Sequence, residues 1–476
     1  MHQAKVNYNL KNDTIFDAFF IFNRQDLLSV YPENWFQLNK TTKEELYRLI
    51  YPSQKNPTPS TYEYWRNFHV FAINGENIPI YGVSCELFGF IIPLLINLFQ
   101  DKNKNSTPIN LSDIKSISFA FISKAPYFNT LFRLLEICTQ VATGFLSLPD
   151  KEMYTTKYDS NLSPPMYSFL SRIFKMDCNE FINFSKDNNF KMHHMLTGSI
   201  SSTGRRNFMF CASSFGHPGF DILFSFLSPK DIVNLYSALL LEEKIVVTGD
   251  NMFIITNVIM SFLFLISPFK PCVPFSPILP DTEHTRDLFG SPTPFITGFD
   301  GDLPPLDEYT TVVNLTQRKV IRDIKTIIPN SQKVIQELTD LVYNEENTVP
   351  KNAKARKEFW NEMRSDYLDV CEYEMSLDLK YCLKPLLIPK IQKILHEVVD
   401  FIFSAPKLRT CFEIHTVEST GEDGKQIIKK KFSKQAFLKA YGSDEENNIF
   451  AKEIVDTQCF NDYYKQIEDD LNAEMK

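Results

Sequence analysis

Hydrophobic and polar positions alternate in two different rhythms along the chain. In the first third, short apolar runs at Ile15–Phe22, Val70–Ile73, Ile78–Val83 and Ile117–Ser123 read as strands. The last run is followed by Pro126 and by Leu131, Leu134, Leu135 and Cys138, the spacing of one helical face. From Asp221 the pattern sharpens. Ser228-Pro229-Lys230-Asp231 sets an N-cap hydroxyl, a proline at N1 and a carboxylate at N3 ahead of Ile232, Leu235, Tyr236, Leu239 and Leu240. Ile245–Thr248 then reads as a short buried strand stopped by Gly249. Ile255, Val258, Ile259, Phe262, Leu263 and Ile266 form the face of a second helix ended by Pro268. Ile278-Leu279, Phe295-Ile296 and Val312-Val313 supply further strand-length runs, so this segment predicts a parallel sheet flanked by helices.

Beyond Leu315 the pattern is mostly helical, with faces at Phe359–Val370 and Leu386–Phe403. A hairpin interrupts it: Glu413–Val417, a turn at Gly421–Gly424, then Gln426–Ile428, with Lys425, Lys429, Lys430 and Lys431 near one arm. Between Leu148 and Gly219 periodicity is lost. Ser163-Pro164-Pro165 and Gly198–Arg206 read as linker and insertion. The run Leu87–Phe99 reads as a buried helix broken by Pro93. Met252–Phe269 is the most apolar stretch, but Thr256, Asn257, Ser261, Ser267 and Pro268 argue against a membrane span. The resulting organisation is a unit at 1–150, a linker or insertion at 151–214, an α/β core at 215–325, and a largely helical part at 326–476 carrying the hairpin near 413–430.

Length and charge narrow the classes. At about 150 residues per domain, 476 residues make several domains. A net charge of −8 and only 15 glycines exclude a nucleic-acid surface and glycine-rich phosphate loops as leading readings. Nine cysteines without a C-x-x-C pair point to reduced thiols rather than a disulfide framework or zinc ribbon. The N-terminus lacks an apolar signal segment, so the expectation is a cytoplasmic protein. The lysines near the hairpin read first as a solvated face, with contact to anionic lipid and recruitment to membranes as the alternative.

Catalytic chemistry is hard to place. Gly424-Lys425 has Ser419 and Gln426 at positions where a phosphate-binding loop requires glycine and Ser or Thr. Ile200 stands where a hydrolase elbow after Gly198 requires serine. His193-His194 is an isolated pair with no metal-binding spacing, so no metal or cofactor is expected. Glu242-Glu243 sits between a helix and a strand and reads as a turn cap or a partner of Lys244. A binding protein, or one acting through its partner's chemistry, is the default.

Several motifs in order carry a resemblance. Leu223–Pro229, Leu239–Val247, Ser267–Pro271, Pro277–Pro280 and Ser291–Gly298 resemble the core of a DENN domain. Ile117–Phe128 resembles the end of its upstream module, and Phe432, Phe437-Leu438, Phe450 and Thr457-Gln458-Cys459-Phe460 its closing module. Ser228, Glu242, Pro280, Pro294, Gly298, Thr457, Gln458 and Phe460 are thus expected to be structural motif residues. Two departures are Glu243, where the family usually has a basic residue, and Asn314, where aspartate is common. The resemblance implies a longin-like N-terminal lobe, an antiparallel sheet with helices, followed by an α/β lobe built on a parallel sheet and a helical C-terminal part. It also implies exchange-factor activity toward a Rab-type GTPase, bound in its GDP or nucleotide-free state. The alternatives are a GTPase-activating partner using Arg133, or a non-catalytic scaffold. Loops leaving the carboxyl ends of parallel strands gather partner surfaces, which points to Asp250 and to Asp281, Glu283 and His284. Asp250 and Asp281 or Thr282 also precede helices and serve as caps in the same reading. Ser123, Lys124 and Tyr127 are added from the first lobe.

Overall fold

The computed structural model describes residues 16–38, 42–52, 66–73, 80–88, 95, 98–99, 114–123, 128–142, 162–174, 176, 218–266, 269, 272–323, 326–344, 390–391, 393–395, 397, 405–418, 426–441 and 445–475. Of the expected features, the face at Phe359–Val370, His193-His194, Gly198–Arg206, the hairpin turn and Lys425 lie outside them. Within Leu386–Phe403 the described positions are helical.

The first sheet is antiparallel in the order β2-β1-β5-β4-β3, from β1 (Ala18–Asn23), β2 (Leu27–Tyr31), β3 (Arg66–Ile73), β4 (Ile80–Phe88) and β5 (Ser116–Ser123). Strand β1 carries apolar residues from Ala18 to Phe22 without a break because both faces of the sheet are covered. Phe20 and Phe22 belong to one core with Trp35, Leu46 and Ile50, while Phe19 and Ile21 belong to the other with Leu134, Phe169 and Leu170. The first face meets α1 (Trp35–Leu38) and α2 (Lys43–Ile50). The second meets α3 (Phe128–Ala142) and α4 (Pro164–Phe174). Helix α4 occupies part of the stretch read as linker, and Met166 N–H bonds the Ser163 hydroxyl at its start. The run Leu87–Phe99 begins inside β4 rather than in a helix, because Leu87 pairs with Ile117 in the ladder.

The second sheet has the order β10-β9-β6-β8-β7, from β6 (Lys244–Thr248), β7 (Phe275–Leu279), β8 (Ile296–Phe299), β9 (Thr310–Asn314) and β10 (Lys319–Ile321). Strands β9, β6, β8 and β7 run parallel, and β10 adds an antiparallel edge. Around it stand α5 (Pro218–Phe226), α6 (Pro229–Leu240), α7 (Met252–Leu265), α8 (Glu283–Phe289) and α9 (Ser331–Val342). Ser228 caps α6 as its sequence predicts, accepting the Asp231 N–H at 3.2 Å.

Helix α7 explains the most apolar stretch of the chain. It lies between the two sheets, so it is apolar nearly all round. Its Thr256 hydroxyl accepts the Val70 N–H of β3 at 3.3 Å, while Ile255 and Ile259 press on Gly298 of β8. Thr256, Asn257 and Ser261 also donate to backbone carbonyls of α7 itself, which satisfies the polar groups buried there. Among the described residues no helix is long and apolar enough to cross a membrane.

The C-terminal part comprises α10 (Ala405–Arg409), the hairpin β11 (Phe412–Glu418) and β12 (Gln426–Phe432), then α11 (Lys434–Tyr441), α12 (Glu445–Ile454) and α13 (Gln458–Glu474). Phe460 holds α13 onto this unit through ring contacts with Phe432 and Phe437 at 5.6 and 5.1 Å.

Candidate functional site

Four parallel strands place their carboxyl ends on one edge of the second sheet. The segments leaving them are Gly249-Asp250 after β6, Pro280-Asp281 after β7, Asp300-Gly301 after β8 and Leu315-Thr316 after β9. Leu315 N–H bonds Thr248 O at 2.9 Å, and the Thr316 hydroxyl donates to Asp250 at 3.0 Å, closing one side of the edge. Asp250 is therefore not the cap of α7. Asn251 takes that role, accepting the Ile254 N–H at 3.2 Å, because it is the residue immediately before the helix.

On the other side, Asp281 holds Arg286 through two bonds of 3.0 and 3.2 Å, and Thr282 caps α8 by accepting the Thr285 N–H at 3.2 Å. Glu283 is exposed in the first turn of α8, and Asp302 is exposed close enough to act on Arg286. A Cβ at Gly301 would lie 3.3 Å from Asp281 Oδ2, so the loops after β7 and β8 touch. Asp250 and Asp281 leave strands two places apart, about 10 Å at sheet spacing. The edge thus offers Asp250, Asp281, Glu283 and Asp302 as hydrogen-bond acceptors, interleaved with Arg286. His284 shares the first turn of α8, and its side chain lies outside the described set.

This edge is joined to the first lobe. Asp281 N–H donates to Pro52 O at 3.3 Å, just beyond α2. Behind Pro52 lies a polar cluster that is mostly buried. Arg24 grips Glu86 at 2.8 and 3.1 Å and stands over the Tyr51 ring at 5.3 Å. Tyr47 and Tyr51 donate to Arg24 O and Phe22 O at 2.6 and 3.3 Å. His69 Nε2 sits 2.9 Å from Leu49 O, and burial pushes its pKa down to about 4, so the ring is neutral at physiological pH. Burial likewise pushes the Tyr51 phenol up. The sequence pattern alone did not identify this cluster. Its signal was the alternation of Ser84 and Glu86 with Val83, Cys85 and Leu87 in β4.

Ser123 is buried at the end of β5, opposite Tyr81, five residues beyond Ser118 and so about 17 Å further along the strand. Tyr51 reaches the opposite end of this strand, near Ser118. The structure therefore gathers Asp250, Asp281 and Glu283 on one edge and leaves Ser123 away from it. Lys124 and Tyr127 lie outside the described residues, as does the side chain of Arg133.

The motif residues behave as follows. Pro280 follows β7 and Pro294 precedes β8. At Gly298 a Cβ would lie 2.3 Å from Pro277 O and 2.6 Å from Ile255 Cγ2, so close approach is what requires glycine there. Thr457 occupies the N-cap position of α13, but its hydroxyl donates to Ile454 O at 2.7 Å. The capping carboxylate comes instead from Glu242, which accepts the N–H groups of Gln458 and Cys459. Neither acid of the Glu242-Glu243 pair binds Lys244, which is paired with Asp307; Glu243 pairs with Arg322. Glu243 precedes β6, and its carboxylate is taken by Arg322 and Thr311. Asn314 accepts the Gln317 N–H at 2.8 Å in the turn between β9 and β10.

Comparison with known proteins gives a coherent result. Residues 114–318, from β5 to the β9–β10 turn, match the model of the DENN (AEX-3) domain. The chain is similar to DENN domain-containing protein 2A of Homo sapiens, 32% identical over 130 residues, covering 25% of this chain and 13% of that protein. It is also similar to DENN domain-containing protein 2B of Mus musculus, 30% identical over 121 residues, covering 24% and 10% respectively. The chain thus spans only a small part of the length of the relatives it matches.

Proposed function

We propose that this chain, whose residues 114–318 match the DENN (AEX-3) domain, acts as a guanine-nucleotide exchange factor for a Rab-type small GTPase in membrane trafficking. The observation that supports this reading most is the exposed edge carrying Asp250, Asp281, Glu283 and Asp302 where the second sheet meets the first lobe at Pro52. Such an edge suits a folded partner that presents loops rich in backbone N–H groups and cations.

The chemistry asked of an exchange factor is binding alone. A small GTPase holds its nucleotide through phosphate-loop amides, a lysine and magnesium, with switch loops closing over the γ-phosphate. Release accelerates only as far as the exchange factor prefers the opened partner to the closed one. A thousandfold gain requires about 4 kcal/mol of that preference. Contacts spread over a standard interface of about 800 Å² per partner supply that without a nucleophile or metal. In this reading Asp250, Asp281, Glu283 and His284 contact the switch loops. Ser123 anchors the start of the segment that carries Lys124 and Tyr127 to a second contact. No cofactor of its own is required.

The test is retention of Rab proteins by the immobilised chain, each offered nucleotide-free, GDP-bound and loaded with a GTP analogue. Preferential capture of one or a few nucleotide-free forms supports exchange. Preference for the GTP-loaded form refutes it in favour of a scaffold.

A further inference from the structure

The hairpin β11–β12 carries an apolar face beyond the body of the protein. Residues opposite one another share a face, so Phe412, Ile414, Ile428, Lys430 and Phe432 lie together. At its base this face is packed, with Phe432 stacked on Tyr464 at 4.2 Å. Further out, Ile414 is 68% exposed and Ile428 55%.

Helix α13 runs along the outer edge of β12 and closes it. Asn472 accepts the Lys430 N–H at 2.7 Å and donates to Lys430 O at 3.1 Å, and Glu468 accepts the Phe432 N–H at 3.1 Å. Two strand residues advance about as far as four helical ones, roughly 6 Å, which brings the end of α13 level with Ile428. There Met475 is 43% exposed. Three of the seven large apolar side chains exposed among the described residues thus fall at one end of the C-terminal unit.

Lysines flank them. Lys431 faces Glu413 across the ladder, whereas Lys429 faces His415 and Lys430 faces Ile414, so two of the three have no acid opposite. Glu468 accepts the Phe432 N–H and Glu474 pairs with Arg409, while Asp469 and Asp470 on α13 are exposed and offset part of the lysine charge.

We propose that this end of the hairpin, Ile414, Ile428 and Met475 with Lys430 on the same face and Lys429 on the opposite one, docks on the anionic surface of a lipid bilayer. Two considerations select a bilayer over a protein. The exposed apolar area is on the order of 300 Å², well below what a stable protein interface buries per partner. Shallow apolar insertion beside lysines on flexible stems, by contrast, is how a peripheral protein binds acidic headgroups. The inference does not rest on the exchange reading, since it concerns a different end of the molecule.

The experiment is co-sedimentation of the full chain with vesicles of phosphatidylcholine alone, and of phosphatidylcholine with about a third phosphatidylserine. The wild type should bind the anionic vesicles and release them as salt rises from about 0.05 to 0.5 M. Lys429→Glu/Lys430→Glu and Ile414→Ser/Ile428→Ser should each weaken binding at least about tenfold. The substituted side chains are outside the packed core, so the unfolding midpoint should not move. The lysine pair keeps the test decisive should the serine pair loosen the hairpin. No binding to anionic vesicles, or equal binding by all forms, overturns the proposal. So does a concentration-dependent dimer of the free chain that the serine pair abolishes without altering sedimentation.

Discussion

The carboxylate of Glu242 accepts the backbone N–H groups of Gln458 and Cys459 at 2.7 and 2.9 Å, so a turn of the central α/β lobe caps the last helix of the chain. The first N–H groups of a helix have no partner within it, and a negative charge there also opposes the helix dipole. Glu242 meets the geometry by adopting a left-handed backbone, φ 53°. Removing the carboxylate should free α13 locally before anything else unfolds. Glu242→Ala is expected to cost about 1–2 kcal/mol and to speed hydrogen exchange at Gln458 and Cys459 about tenfold, with Glu242→Gln in between. Unchanged protection at those two amides would contradict the cap.

Glu243 and Arg322 form a buried pair, with side chains 6% and 3% exposed, and Thr311 donates to the same carboxylate at 2.8 Å. A single removal strands a charge in the interior. Glu243→Ala or Arg322→Ala should each lose about 3–5 kcal/mol, whereas Glu243→Met/Arg322→Met should recover most of it. Denaturant midpoints of the three variants decide the matter, and additive losses in the double variant would count against this account.

Gly298 tests packing without charge. The atom that would stand 2.3 Å from a Cβ at this position is the backbone carbonyl oxygen of Pro277, which cannot rotate away as a side chain does. Gly298→Val should therefore destabilise the second sheet by about 3 kcal/mol or more. A melting temperature within error of the wild type would show that β7 yields freely.

His69 supplies the pH dependence. Its pKa is held down to about 4 by burial, against about 6.5 in the unfolded chain. Between those values the unfolded state binds the extra proton, so stability falls as pH drops from about 6.5 towards 4, by about 3 kcal/mol at most. His69→Gln keeps a donor for Leu49 O and removes the titration, so its stability curve should be flatter over that window. An acid slope identical to the wild type would place the titration elsewhere.

These residues also show what a sequence makes legible. Ser228-Pro229-Lys230-Asp231 announces a helix because every participant is local, and α6 starts there. Ser163-Pro164 carries the same cap and proline, yet its second proline and polar surroundings suggested a linker; α4 starts there. Strands β2 and β10 escaped notice because Leu27–Tyr31 is only half-buried and Lys319–Ile321 spans a single exposed edge. The apolar character of α7 was plain, but its cause was not: burial between two sheets depends on how the lobes meet. Glu242 with Gln458, Glu243 with Arg322 and Arg24 with Glu86 are pairings set by the tertiary fold, and no local spacing encodes them. That Asp250, Asp281 and Glu283 lie at one carboxyl edge was legible because parallel order can be read from helix–strand alternation.

Nucleotide release from candidate GTPases tests the central claim most directly. A fluorescent GDP analogue is loaded onto a panel of Rab proteins, and its loss is followed with and without the folded chain. The account predicts acceleration of about a thousandfold for one or a few members, cut about tenfold by Glu283→Ala and by Lys124→Ala, each equivalent to one surface contact of about 1.4 kcal/mol. No acceleration across a broad panel would contradict it, as would faster GTP hydrolysis that disappears in Arg133→Ala.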